Sequence, residues 1–202
     1  MPDLDLVAWD FGDTLCDQTF MRIAPHGVPG WSDAYLRWFA TNPGWEDAWM
    51  LGGVPMDDMV PWLAGELGME PSAVARHLRA VWHQIDFWPN AMGALRRLRG
   101  VILQACVTVN PFEFSGIAAA SGLDQIFDVI VTSAEAKSNS KVDLTQRARH
   151  LLGLDDDLER TLLIDNIADN TDEFAAAGGQ TYLFTTDALF GMDAASLLGD
   201  GW

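Results

Sequence analysis

Leu6-Val7-Ala8-Trp9-Asp10-Phe11-Gly12-Asp13-Thr14-Leu15 is the stretch that decides how the rest of this chain reads. A short apolar run leads straight into an aspartate and a tight Gly-Asp-Thr turn, with no helix cap until well beyond it. An aspartate at the carboxyl end of a strand that opens an α/β pattern lies where such sheets bind ligands. Its carboxylate can act there as a nucleophile and form an aspartyl-phosphate or another acyl intermediate. The plain alternative is an aspartate that only shapes its own turn.

Downstream, the pattern is helical from about residue 16 to 87. Ser32 to Ala40 carries Tyr35, Leu36, Trp38 and Phe39, and Met56 to Leu67 places Met59, Val60, Leu63 and Leu67 at helical spacing. Pro71-Ser72 opens a helix with Val74, Leu78, Val81, Trp82 and Ile85 on one face. After Trp88-Pro89-Asn90 helix and strand alternate. Strands are predicted over residues 101–107, 127–131, 161–164 and 181–184, and helices over 91–99, 111–121, 142–152 and 171–177. Continuous apolar strands separated by helices imply a parallel sheet covered on both faces. The predicted architecture is α/β: a Rossmann-like parallel-sheet core from 1–15 and 88–202, with an inserted helical cap from 16–87.

The length of 202 residues, 49% of them hydrophobic, suits one core plus a subdomain. A net charge of −17, with Lys137 and Lys141 the only lysines, argues against nucleic-acid or anionic-membrane partners. An anionic small molecule stays compatible, because a bound cation can reverse the local field. The opening Met1-Pro2-Asp3-Leu4-Asp5 lacks the basic region of a signal peptide. No apolar run approaches the ~18 residues of a membrane span. Cys16 and Cys106 lie far apart in sequence, which fits a reduced, cytoplasmic protein, monomeric or homodimeric.

Three predicted strands end in polar residues that would meet at one sheet edge: Asp10, Thr108 and Asp165. Lys141 opens the helix after a fourth. A nucleophile, a hydroxyl donor, a cation and a second carboxylate able to hold Mg²⁺ would thus converge. At this point the chain resembles the haloacid dehalogenase-like (HAD) hydrolase superfamily over nearly its whole length. The family's first motif matches Asp10-Phe11-Gly12-Asp13-Thr14, its second Thr108 with Asn110 close behind, and its third Lys141-Val142-Asp143. Its fourth matches Leu162-Leu163-Ile164-Asp165-Asn166-Ile167-Ala168-Asp169-Asn170, followed by Ala175-Ala176-Ala177-Gly178. The resemblance implies Asp10 as nucleophile, Thr108 and Lys141 as phosphate ligands, and Asn110 as a substrate contact. It also implies Mg²⁺ on Asp10, the Gly12 carbonyl and Asp165, supported by Asp169 or Asn170. Lys137 competes with Lys141 for the third motif, and the following Asp143 favours Lys141.

One position departs from the pattern. Phosphatases of the family carry an aspartate two residues after the nucleophile to protonate the leaving group, and this chain has Gly12 there. Loss of a general acid–base costs about 10² to 10⁴ in rate. Asp13, one place later, is the substitute to consider, with a turn role as its alternative. A Schiff-base phosphonatase is excluded because residues 16–87 contain no lysine. The leading expectation is a Mg²⁺-dependent phosphatase of a small phosphomonoester, acting through an aspartyl-phosphate. A haloacid dehalogenase-type or other non-phosphate hydrolase is the first alternative. A weakly catalytic member that binds a phosphorylated ligand or a partner protein is the second. Trp31, Trp38, Trp45, Trp49, Trp62 and Trp82 crowd the insertion, either packing a small helical unit or roofing an apolar substrate. Arg22 and Arg37 are candidate anion contacts or surface residues, and Cys16, beside the motif-one turn, is read as passive.

Overall fold

A computed structural model describes residues 4–198, so Met1-Pro2-Asp3 and the last four residues of the expected core lie outside the described residues. Five strands form one parallel sheet: β1 (Leu6–Trp9), β2 (Leu103–Thr108), β3 (Val129–Thr132), β4 (Thr161–Asp165) and β5 (Gln180–Leu183). Their order is β3-β2-β1-β4-β5. β1 is therefore central, with β2 on one side and β4 on the other. The chain reverses its direction of winding there, and the crevice beyond the carboxyl ends of β1, β2 and β4 is where an open sheet of this kind takes its ligand.

Helices α1 (Trp31–Thr41), α2 (Trp45–Met50), α3 (Val60–Leu67) and α4 (Pro71–Ala80) lie between β1 and β2, followed by α5 (Pro89–Leu98). The later helices are α6 (Phe114–Ser121), α7 (Ser133–Ala136), α8 (Lys141–Leu151), α9 (Ala168–Ala176) and α10 (Asp187–Leu198). The two helices expected around Met56 and Pro71 are each divided. A 3-10 turn over Met56–Met59 precedes α3, where Pro61 stands in the first turn and needs no N–H partner. Another 3-10 turn, Val81–Gln84, carries the second helix to its end. The strand expected from Val101 begins at Leu103 instead, because Gly100 turns at φ 75° and Val101 is exposed. Helices α2, α7 and α10 were not anticipated. Among the described residues no helix is long and apolar enough to cross a membrane.

Alternation along the buried strands gives each sheet face its own core. Val7, Trp9, Cys106, Leu162 and Ile164 pack with α5, α6 and α10 on one face. Leu6, Ala8, Ala105, Val107 and Leu163 pack with α8 and α9 on the other. A third cluster, with Trp31, Trp38, Met59, Leu63, Val74 and Leu78, lies wholly within residues 31–78. The chain leaves the sheet and returns to it through two adjacent segments. Cys16 bridges Phe87 in antiparallel fashion, and Trp88 N–H donates to Leu15 O at 2.9 Å.

Arg149 is a buried cation at the amino-terminal sheet edge. It reaches Asp5 at 2.7 Å, Asp155 at 2.6 Å and the Thr161 hydroxyl at 2.7 Å, and so joins α8 to the starts of β1 and β4. Replacing it strands those partners. Arg149→Met is expected to lower unfolding stability by about 1–3 kcal/mol, measured by urea denaturation with an unchanged slope.

Candidate active site

Asp10 follows β1 directly, and its backbone N–H donates to Ile164 O at 2.9 Å, so β4 fixes its position. Thr108 closes β2, and Asn110 Nδ2 donates to the Thr108 hydroxyl at 2.7 Å. Lys141 opens α8, which Ser140 caps by accepting from Asp143 N–H. The Lys141 ammonium is fully buried. It pairs with Asp10 Oδ1, donates to Val107 O at 2.8 Å, and lies 3.2 Å from Asp165 Oδ2. Burial pushes the Asp10 carboxyl above its ordinary pKa; Lys141 pulls it back and Asp165 adds to the rise. For Lys141, burial alone would lower the pKa, but Asp10 and Asp165 carry it above the ordinary lysine value. The lysine is therefore a permanent cation facing two carboxylates.

These groups form the floor of a cavity of about 400 Å³, with Gly12, Asn166 and Asn170 beside Asp10, Thr108, Asn110 and Lys141. Its walls come mostly from the helical segment: Phe20, Met21, Tyr35, Phe39, Trp49 and Trp82. Of the six tryptophans in that segment, only Trp49 and Trp82 line the cavity; Trp31, Trp38, Trp45 and Trp62 belong to the third core cluster or pack against it. Arg22 also lines the cavity, whereas Arg37 pairs with Glu66 at 3.0 Å on the surface.

Asp13 does not face the cavity. It adopts φ 56°, and its carboxylate accepts from Gln18 Nε2 at 2.6 Å and from Gln18 N–H at 3.2 Å. The one-residue shift from Gly12 turns that side chain into a local clasp. Lys137 is likewise diverted: its ammonium donates to Leu51 O at 2.7 Å and lies 4.9 Å from the Phe112 ring centroid. Ser133 donates to Met50 O at 2.6 Å. Glu113, which the sequence reading missed, accepts from Met56 N–H at 2.9 Å and from the Trp49 indole N–H at 3.3 Å. Cys16 and Cys106 are buried, and burial raises both thiols, so neither is a reactive thiolate.

No family model matches the chain, and no curated protein matches it in sequence. Solved structures do resemble it. The L-2-haloacid dehalogenase from Xanthobacter autotrophicus with chloropropionic acid covalently bound superposes with TM-score 0.65 at 15% identity, over 96% of this chain and 83% of that one. A HAD family enzyme from Bacteroides thetaiotaomicron, BT-2542, gives TM-score 0.68 at 14% identity, over 96% and 98%. The same enzyme in complex with magnesium and inorganic phosphate gives TM-score 0.62 at 12% identity, over 89% and 93%. The fold is that of the HAD enzymes.

Because HAD neighbours of both kinds match, the donor set itself has to be tested for Mg²⁺. Asp165 is wholly buried and does not line the cavity. Its Oδ1 accepts from Ile167 N–H at 2.8 Å and Asn170 Nδ2 at 3.1 Å, and its Oδ2 accepts from Asn170 Nδ2 at 3.0 Å and faces Lys141. Four donor contacts fill a carboxylate's acceptor sites. Asn166, the next residue, turns to the cavity and lies 3.3 Å from the Thr14 hydroxyl, which is also 3.4 Å from Asp10 Oδ2. Asp169 is exposed on the first turn of α9, and it is Asn170 that reaches Asp165. The floor of the cavity thus offers one carboxylate, already paired with an ammonium, plus the Gly12 carbonyl and neutral amides; the wall carboxylates are Glu46 and Glu113, the latter engaged by Met56 N–H and the Trp49 indole. Among the described residues no group of three or more His, Cys, Asp or Glu could hold a metal. Of the set expected from the sequence, Asp10 and Asp165 meet on Lys141, while Asp169 is exposed and Asp165 does not line the cavity, so the floor offers Mg²⁺ one already paired carboxylate and the Gly12 carbonyl and does not fit it as arranged.

Asn166→Asp would restore a second carboxylate to the cavity floor. Millimolar Mg²⁺ is expected to leave the melting temperature of the wild-type protein unchanged and to raise that of Asn166→Asp, since a ligand bound only by the native state stabilises it. Differential scanning calorimetry with and without EDTA measures both.

Proposed function

We propose that this chain is a HAD-type hydrolase in which Asp10 displaces a leaving group from carbon, with halide as the leaving group. The observation that supports this reading is the floor of the cavity: one nucleophilic carboxylate steadied by Lys141, with no proton donor at position 12 and Asp13 turned away on Gln18. A leaving group that departs as a stable anion needs no proton, whereas an alkoxide does. Asp10 Oδ attacks the carbon, the carbon–halogen bond breaks with its electron pair on the halide, and an ester to Asp10 forms. Water then attacks the ester carbonyl, releasing an alcohol and a proton and regenerating the carboxylate. Apolar walls strip water from the attacking carboxylate, and Thr108, Asn110 and Lys141 orient the polar end of the substrate. In this reading residues 16–87 act as the cap and 4–15 with 88–198 as the catalytic core. That a similarly folded L-2-haloacid dehalogenase is seen with chloropropionic acid covalently bound supports this reading.

A second reading is phosphomonoester hydrolysis. Thr108, Asn110 and Lys141 around Asp10 are suitable donors for phosphoryl oxygens, and the magnesium- and phosphate-bound neighbour has a similar fold. Hydrolysis of p-nitrophenyl phosphate that rises with Mg²⁺, without halide release from α-halo acids, would establish it in place of the first.

Asp10→Asn is expected to abolish halide release and the covalent mass increment on the Asp10 peptide. In the wild-type protein Asp10 must be ionised to attack. Its folded-state pKa is raised, so activity is lost as pH falls through a midpoint above the ordinary aspartate value of 3.8. Asp165 contributes to that rise, so Asp165→Asn should move the acid limb of the kcat/KM profile to lower pH.

A further inference from the structure

We propose that the cavity above Asp10 selects an α-substituted acid carrying an aryl-sized apolar body whose far end bears a hydrogen-bond acceptor received by Tyr35. The inference rests on carbon displacement at Asp10 for the kind of acid, whereas the slot itself rests on the walls. Three observations support it.

The first is size. About 400 Å³ falls in the range of ~300–1,000 Å³ that holds drug-sized ligands. A propionate-sized acid would leave most of the apolar wall against water, forfeiting the burial that drives binding. The second is that the two indole walls are both seated on the same core element. Trp49 is held by its N–H on Glu113, the residue that precedes α6. The Trp82 ring lies against Gly116 within α6, so closely that a Cβ there would collide with it. A slot with fixed aromatic sides suits a flat group better than a flexible chain, which would gain less from stacking.

The third is a hydroxyl on the cavity wall that no protein group takes up. Tyr35 on α1 is only 7% exposed and lines the cavity, and among the described residues no protein group hydrogen-bonds its hydroxyl. Burial and the nearby Glu46 hold the phenol protonated, so it can donate. Arg22, also on the cavity wall, makes no ion pair among the described residues and adds a second donor at this end. The floor on the sheet and the Tyr35 hydroxyl on the helical segment are then both polar, and Phe20, Met21, Phe39, Trp49 and Trp82 supply the apolar wall of the same cavity.

Unreactive α-hydroxy acids, the product type of the proposed reaction, test the slot without requiring turnover. Calorimetry on the wild-type protein with lactate, mandelate and para-acetylmandelate should give mandelate an advantage over lactate of about 10- to 200-fold, the scale for added apolar contact in a pocket. Tyr35→Phe should weaken para-acetylmandelate by roughly threefold to tenfold and leave mandelate unchanged, as for loss of one hydrogen bond. Gly116→Ala, which displaces Trp82, should weaken both aryl acids and spare lactate, with the melting temperature reporting that the variant is folded. Lactate binding as tightly as mandelate, binding of none of the acids, or a Tyr35→Phe loss equal for both aryl acids would overturn the slot. Release of halide from α-chloropropionate in preference to α-bromophenylacetate would also overturn it while upholding the chemistry at Asp10. Tight mandelate binding without halide release from any α-halo acid would uphold the slot and overturn the chemistry.

Discussion

One buried ammonium holds the carboxyl end of this sheet together. Lys141 faces Asp10 at the end of β1, Asp165 at the end of β4 and the Val107 carbonyl of β2. Two carboxylates that close to one another in a dry site would repel. The lysine makes both tolerable, and in doing so fixes the spacing of three strands and the start of α8. Because Asp165 is saturated by Asn170, Ile167 and the lysine, its charge steadies the cation and is unavailable to solvent. Asp10 alone is left with an oxygen open to the cavity. Removing the lysine would leave two uncompensated acids under the sheet edge, so this cation serves folding as much as chemistry.

Much of this was legible in the sequence, and the limits have physical causes. Asp10, Thr108 and Asp165 could be placed at strand ends because buried parallel strands read as unbroken apolar runs. Lys141 could be preferred to Lys137 because Asp143 and a helix follow it. Which of Asp165 and Asn166 faces the crevice could not be read. Side chains alternate at a strand end, and both residues are polar. Asp169 and Asn170 posed the same problem, since adjacent helical residues point in different directions and only packing selects one. Helix α10 was hidden because exposed Leu189 and Met192 blur the buried row of Phe190, Ala194 and Leu198. Glu113 gave no local signal, since its partners Met56 and Trp49 lie 57 and 64 residues away.

The departure at position 12 has a structural counterpart. With glycine there, Gln18 comes within 3.0 Å of where a Cβ would stand, and that glutamine takes up the carboxylate of Asp13. The acid at position 13 is thereby locked into its own turn. Position 12 therefore carries no side chain toward the cavity, and the neighbouring carboxylate is held in the turn.

The neck formed by Leu15, Cys16, Phe87 and Trp88 brings the two ends of the helical segment side by side. A chain that leaves and returns at one point adds almost nothing to the register of the sheet, and the cost of closing such a loop rises only slowly with its length. That whole stretch can therefore be exchanged in evolution, and with it most of the cavity wall, while Asp10, Thr108 and Lys141 stay as they are. Glu113, Ser133 and Lys137 set the terms of such an exchange. They grip the backbone or indole of residues 49–56 from the core side, so an incoming segment must present its own carbonyls and donors at those three places or swing loose.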